Sequence, residues 1–137
     1  MTDYVTPQTA TRLKQAGFKQ PVPAPGQVWL MGDYIVFVCL VETVASHTVY
    51  YYVRIGEAYA GFTSIVTDFH TYLPTAPDIL RELGQSAALL YDQDEFLPGY
   101  LNGFNGFMGF LQPHNENPAE ACALAWEAKQ KRSYEQP

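Results

Sequence analysis

Residues 27 to 44, QVWLMGDYIVFVCLVETV, decide the fold class of this chain. β-branched and aromatic residues dominate the stretch, which is typical of strands. Gly32 and Asp33 interrupt it with residue types that favour a turn. The stretch therefore predicts two strands, or one bent strand. HTVYYYVRI (47–55) and FTSIVTDFHTYL (62–73) predict one further strand each.

Two segments on either side of these strands carry helix signals. Thr6 has the residue type of an N-cap, and Gly17 is a natural stop, so a first helix is predicted between them. Thr75 and Asp78 have the spacing of a capping box, and Gly84 ends the second predicted helix.

A third helix is predicted in NPAEACALAWEAKQKR. Asn117 is its expected N-cap, Pro118 suits the first turn, and Glu120 is expected to complete a capping box. Cys122 and Trp126 then lie on one face of the helix.

The order of these elements, with a further strand in SAALLYD (86–92), predicts an α+β fold. We expect a single domain over residues 1–137, built on a mostly antiparallel sheet with about three helices packed on it. Residues 1–5 and 133–137 are expected to fray.

GYLNGFNGFMGFLQ, residues 99 to 112, interleaves glycine with aromatic residues. Its two Asn-Gly pairs, at Asn102 and Asn105, are strong hairpin signals. A phosphate-binding loop is disfavoured because no helix follows directly. We expect a hairpin or bulged strand whose aromatic residues partly pack on the core. The alternative is a mobile aromatic loop that binds a partner or a ligand.

Composition excludes several classes of protein. The 137 residues are 47% hydrophobic and 16% charged, so the chain has enough apolar surface for a core. The net charge of −6, without a basic stripe, argues against nucleic-acid binding. No apolar run is long enough to span a membrane. Cys39 and Cys122 are expected to be buried thiols of a cytoplasmic protein.

No residue pattern identifies an active site. Asp68 and His70 are two residues apart on a predicted strand, and could begin a metal site or an acid–base pair, but no third ligand is nearby. The acidic segment DQDE (92–95) lacks the spacing of a calcium loop. We therefore expect no catalytic residue, no metal and no cofactor, and the chain looks more like a binding protein than an enzyme.

Consecutive tyrosines give the third predicted strand two different faces. Tyr50 and Tyr52 share one face with Arg54, because side chains alternate along a strand. That face is expected to be half-buried or to form a binding surface. The opposite face, from Tyr51 to Ile55, is expected to be core.

These observations leave two hypotheses for function. The first is a non-enzymatic interaction or accessory protein that binds a protein partner, or itself as a homodimer, through aromatic residues. The second is a small-ligand protein that stacks a nucleotide-like ligand on aromatic rings beside the glycine-rich loop. The candidate binding residues are Tyr50, Tyr52, Tyr100, Phe104 and Phe107.

Three segments of the chain carry a resemblance: ATRLKQAGFKQP (10–21), YLPTAPDILRELG (72–84) and ENPAEACALAW (116–126). Their order resembles that of small uncharacterised proteins of phages, prophages and Bacteroidota-type genomes, with LKxAGFPQ-like, APTLxELLxxL-like and xTPAEALAxLLxWL-like segments. This chain departs at Lys19, where proline is usual, and at Glu127, where an apolar residue is usual. The resemblance implies a mobile-element or accessory protein of the bacterial cytoplasm.

Overall fold

The structure is a computed structural model that describes residues 3–56, 61–64, 68–84, 87–92, 94–102, 106–109 and 115–135. The elements within these ranges are, in chain order, α1 (Pro7–Gln15), β1 (Val28–Met31), β2 (Tyr34–Val44), β3 (His47–Arg54), β4 (Gly61–Ser64), β5 (Phe69–Tyr72), α2 (Ala76–Leu83), β6 (Ala87–Asp92), β7 (Glu95–Asn102), β8 (Gly106–Gly109) and α3 (Pro118–Glu135). Every described strand pair is antiparallel, so the predicted α+β fold is confirmed.

The described chain divides into two compact units. One comprises Phe18–Leu73 and holds a five-stranded sheet in the order β4-β3-β2-β1-β5. The other comprises Met1–Gly17 with Pro74–Pro137, and holds the three helices and a sheet in the order β6-β7-β8.

The opening stretch folds as two strands, which is the first of the two predicted alternatives. β1 and β2 pair around the turn at Gly32 and Asp33, and Gly32 takes the positive φ of 61° that glycine tolerates. The single strand predicted over residues 62–73 is wrong. This segment supplies β4 and β5, which lie at opposite edges of the sheet. Alternation of side chains marks a strand but carries no information about its pairing partner.

Two irregularities in register set which side chains share a face. The β2–β3 pairing passes from Val38 to Leu40 and leaves Cys39 unpaired. The β1–β5 pairing passes from Thr71 to Phe69 and leaves His70 unpaired. Each extra residue reverses the alternation beyond it. Phe69 is thereby brought to the same face as Tyr72, which simple alternation would not allow.

An aromatic core lies on one face of the five-stranded sheet, which we call the inner face. Its buried members are Trp29, Val36, Val38, Tyr52 and Tyr72. The Trp29 ring centroid lies 5.3 Å from that of Tyr72 and 6.2 Å from that of Phe69. Such ring pairs contribute about 0.5–1.5 kcal/mol each beyond the area they bury.

The two shorter helices begin and end where local signals predict. The Thr6 hydroxyl accepts a hydrogen bond from the Thr9 amide at 3.3 Å, and α1 ends before Gly17, whose φ is 96°. At α2 the Thr75 amide donates to the Asp78 carboxylate at 3.0 Å, so the predicted capping box forms. A cap of this kind stabilises a helix by about 1 kcal/mol.

The capping box predicted for α3 is wrong in one respect. The Asn117 side chain accepts from the Ala119 amide at 2.8 Å, as an N-cap should, but the Asn117 amide donates to the Asn115 side chain. The Glu120 carboxylate instead accepts from the Thr6 amide at 2.8 Å and from the Thr9 hydroxyl at 2.7 Å. Glu120 therefore fastens the N-terminus of α1 to α3.

The N-terminal segment joins the fold earlier than expected. Tyr4 forms an isolated antiparallel bridge with Thr75, and the Val5 amide donates to the Pro74 carbonyl at 3.1 Å. Val5 is fully buried, so the predicted fraying of residues 1–5 does not hold for these two residues. At the other end α3 continues to Glu135.

The described residues of the glycine–aromatic stretch pair as the two strands of a hairpin, which is the first of the predicted alternatives. β7 pairs with β8 from Gly99 opposite Gly109 to Asn102 opposite Gly106. The intervening residues 103–105 lie outside the described ones. Pro98 has no N–H to donate, yet it is buried in this central strand.

The neighbours of Pro98 explain how it is tolerated. Phe96 exchanges both backbone bonds with Asn115, at 2.8 and 3.3 Å, on the side of the strand away from β6. Because successive residues bond to opposite sides, Pro98 faces the same way as Phe96. Pro98 therefore faces away from β6 and interrupts no ladder bond to it. On the other side of β7, the described pairing with β8 starts only at Gly99.

Candidate binding surface

The predicted binding residues are divided between the two sheets. Tyr50 and Tyr52 lie on β3, on the inner face, where each ring meets Phe69 edge to face at 5.7 and 5.5 Å between centroids. Tyr50 is half-buried, as expected, whereas Tyr52 is only 7% exposed. Tyr100 lies on β7 and Phe107 on β8. Their side chains and the whole of Phe104 lie outside the described residues.

The predicted assignment of the other face of β3 is wrong. Ile55 is exposed, and Tyr51 and Val53 are only half-buried, whereas Tyr52 on the opposite face is part of the aromatic core. We call the face that carries Tyr51 the outer face. Phe69 and Tyr72 provide ring contacts on the inner face, and those contacts depend on pairing between strands that are distant in sequence.

Of the side chains whose burial the structure describes, four large apolar ones are exposed on the outer face. Their exposed fractions lie between 37% and 49%. The register places Phe37 opposite Val53 and Leu40 opposite Tyr51, so the group runs along neighbouring strands. Its members, which we call the outer patch, are Phe37, Leu40, Val44 and Ile55. A clustered apolar surface of this kind is typical of a binding site, unlike single exposed apolar residues.

Among the residues that the structure describes, one carboxylate lies within this surface. Glu42 is on β2 between Leu40 and Val44, and accepts a hydrogen bond from the Tyr51 hydroxyl at 3.3 Å. The negative charge of Glu42 raises the pKa of Tyr51, because it disfavours a second negative charge nearby. Among the described residues, no lysine, arginine or histidine forms an ion pair with Glu42.

Sequence reasoning missed the outer patch, although one signal was present. Residues 34 to 41 are apolar at both odd and even positions, a pattern usually read as a strand covered on both faces. In an antiparallel hairpin such a strand needs a second covering layer. Phe37 and Leu40 are exposed, so the described residues do not fully cover these two side chains.

The two cysteines differ from the expectation of two buried thiols. Cys122 is buried in α3, and burial raises the pKa of its thiol to about 12. Cys39 is exposed at the irregularity in β2, so the prediction for this residue is wrong. An exposed thiol on a strand follows from the extra residue, which the amino-acid pattern does not reveal.

Within the described residues, the His70 ring contacts a hydroxyl group and a backbone carbonyl. The His70 ring nitrogens lie 2.9 Å from the Thr71 hydroxyl and 3.2 Å from the Gly32 carbonyl oxygen, and Asp68 is exposed. In the described part of the chain, no group of three or more His, Cys, Asp or Glu side chains could hold a metal ion.

Comparisons of the chain with known proteins identify no relative. No protein-family model, curated protein or solved structure matches the chain. Over the ranges that the structure describes, no helix is long and apolar enough to cross a membrane.

Proposed function

We propose that the protein is a non-enzymatic interaction protein that binds a protein partner through the outer patch. The observation that carries the proposal is the grouping of four exposed apolar side chains on one face of one sheet. Burying such side chains on association is the main source of favourable free energy in protein interfaces. Aromatic and aliphatic anchors at the centre of a patch usually dominate it.

The aromatic residues of β3 support this role over the nucleotide-binding alternative. Base stacking needs an accessible ring face. The rings of Tyr50 and Tyr52 are both engaged with Phe69, and Tyr52 is nearly inaccessible. On the outer face, the exposed side chains are mostly aliphatic, which suits a protein surface better than a base.

The setting of this interaction is part of the same proposal. The resemblance to phage, prophage and Bacteroidota-associated proteins supports an accessory role in a bacterial cytoplasm. Two free cysteines, one of them exposed, are compatible with a reducing compartment.

The proposal is tested with the double variant Phe37→Ser/Ile55→Ser. We expect it to lose at least tenfold in affinity for a partner captured by the tagged wild-type protein, with its free energy of unfolding within about 1 kcal/mol of wild type, because both side chains are already partly exposed. Leu90→Ser is the matched control, since Leu90 is as exposed as Leu40 but lies on β6.

Two results would contradict the proposal. One is full partner binding by the double variant. The other is an equal loss of binding in Leu90→Ser, which would place the interaction elsewhere. Urea unfolding of each variant separates loss of the surface from loss of the fold.

A further inference from the structure

Beyond the end of β1, one side of β2 has no partner strand among the described residues. β1 pairs with the residues of β2 from Tyr34 to Phe37. Next to them, the Val38 amide donates a hydrogen bond to the Gln27 carbonyl, and the Val38 carbonyl accepts one from the Gly26 amide, each at 2.9 Å. From Leu40 to Val44, β2 pairs only with β3 among the described strands. The end of the β2–β3 hairpin therefore presents an edge.

The hairpin turn shows which backbone groups point to that edge. Val44 lies opposite His47 across a two-residue turn, and such a closing pair is hydrogen-bonded. Val44 and Glu42 therefore direct their N–H and C=O groups to β3. The intervening residues, Val41 and Thr43, direct theirs away from β3, toward the open edge. Unpaired groups in a row are a template for another strand.

The side chains beside this edge describe what could pair there. Leu40, Glu42 and Val44 lie on the outer face, and Val41 and Thr43 on the inner one. A strand added at the edge would place its own outer-face side chains next to Leu40, Glu42 and Val44. An apolar, basic, apolar series would match them, because the Glu42 carboxylate has no ion-pair partner among the described residues.

A second copy of this chain does not offer that series. Of all the residues in the described strands, Arg54 is the only lysine or arginine, and its guanidinium lies 4.0 Å from the Tyr34 ring centroid. Self-pairing of β2 centred on Glu42 would set two carboxylates directly opposite each other, which is destabilising. The net charge of −6 also favours a basic partner over a second copy.

We propose that the open edge of β2, at Val41 and Thr43, accepts an extended segment of a different protein that carries a lysine or arginine opposite Glu42. This inference rests on the proposed function and names the class of partner. The added strand would extend the five-stranded sheet and cover Leu40 and Val44 of the outer patch. Backbone bonds would supply affinity, and the charge opposite Glu42 would supply selectivity.

The test uses two fluorescent peptides, Ac-GTVTKTVTG-NH2 and its counterpart Ac-GTVTETVTG-NH2, and fluorescence anisotropy. Wild type is expected to bind the lysine peptide about fivefold more tightly, as one attractive and one repulsive cross-strand pair together imply. Glu42→Lys is expected to reverse that preference. Glu95→Lys makes the same charge change on β7 and should leave the preference as in wild type.

A second measurement reports the edge itself. Val41→Pro removes the N–H that points outward, and both peptides should then bind at least tenfold more weakly. In wild type, bound lysine peptide should slow hydrogen exchange of the Val41 and Thr43 amides at least tenfold. This measurement uses the wild-type protein, so it does not require a variant to fold.

Four results would each overturn the inference: no binding of either peptide, equal affinities in wild type, no reversal in Glu42→Lys, or unchanged exchange at Val41 and Thr43. The proposal that the outer patch binds a protein partner is tested by a different experiment. It depends on Phe37 and Ile55, so partner binding that is lost in Phe37→Ser/Ile55→Ser would stand even if the edge proves inert.

Discussion

At the scale of single residues, neighbours decide the chemistry of identical side chains. Cys122 is buried in α3, and burial raises the pKa of its thiol to about 12, so it stays protonated. Cys39 is the same residue type, but an extra residue in the strand leaves it exposed. Glu127, an unusual residue at its position in the resemblance, is paired with Arg12 at 3.2 Å.

Glu42 gives a residue-scale prediction. Because its charge raises the pKa of Tyr51, Glu42→Gln should lower that pKa toward the ordinary value of 10.0. Ultraviolet absorbance titration measures the change, and Tyr51→Phe identifies which part of the signal belongs to this tyrosine.

The raised pKa of Tyr51 also makes the stability of the protein depend on pH. The folded state holds the Tyr51 proton more tightly than the unfolded chain. The resulting contribution to the free energy of unfolding is therefore fully present below pH 10.0, and it is lost as the pH rises through the folded-state pKa of Tyr51. Wild type should therefore lose stability relative to Glu42→Gln on alkaline titration. An unchanged Tyr51 titration in Glu42→Gln would show that the carboxylate does not act on the phenol.

At the scale of elements, short-range signals placed the helix ends well. The caps at Thr6, Thr75 and Asn117 use atoms within three residues of the cap, so tertiary structure hardly alters them. Glu120 is the exception. Its carboxylate can reach either its own N-cap or the N-terminus of α1, and the choice depends on how the helices pack.

The turn between β2 and β3 gives an element-scale prediction. Ala45 and Ser46 have φ values of 49° and 71°, a conformation that costs L-residues about 1–2 kcal/mol and that Asn-Gly adopts readily. Ala45→Asn/Ser46→Gly should therefore raise the free energy of unfolding by about 1 kcal/mol. Urea unfolding measures the gain.

The control for this prediction uses the same position. Ser46→Ala keeps a Cβ at the positive φ and should bring no gain, whereas Ser46→Gly alone should stabilise the protein. Equal stabilities of the alanine and glycine variants would show that backbone strain at the turn is negligible.

At the scale of the whole molecule, the single-domain prediction can be tested with the natural tryptophans. The chain has two, Trp29 in the five-stranded sheet and Trp126 in α3, so each compact unit contains one. Trp126→Phe leaves a fluorescent reporter in the first unit, and Trp29→Phe leaves one in the second.

If the chain is one domain, the urea transitions followed by fluorescence and by circular dichroism should coincide within each variant, because a cooperative domain unfolds as a whole. Comparing both probes in the same variant removes the effect of the substitution itself on stability. A fluorescence midpoint displaced from the circular dichroism midpoint would mean that the two units unfold separately, as two domains do.

The candidate site shows the limit of sequence reasoning at this scale. Because tyrosine suits binding surfaces, the sequence predicts Tyr50 and Tyr52 as binding residues, yet Tyr52 lies in the aromatic core with Trp29 and Tyr72. The sequence pattern places Phe37 and Leu40 in an apolar strand, yet both side chains are exposed. An apolar pattern on both faces of a strand does not say which face receives a covering layer.

The sequence by itself determined the α+β class, the break at Gly32 and the helix caps, and it favoured a hairpin or bulged strand over residues 99–112. These depend on backbone preferences and on hydrogen bonds within a few residues. Only the tertiary structure decided that residues 62–73 supply both edges of one sheet, and that Tyr52 is core while Ile55 is exposed. Strand pairing joins residues distant along the chain, and one unpaired residue such as Cys39 reverses every face beyond it.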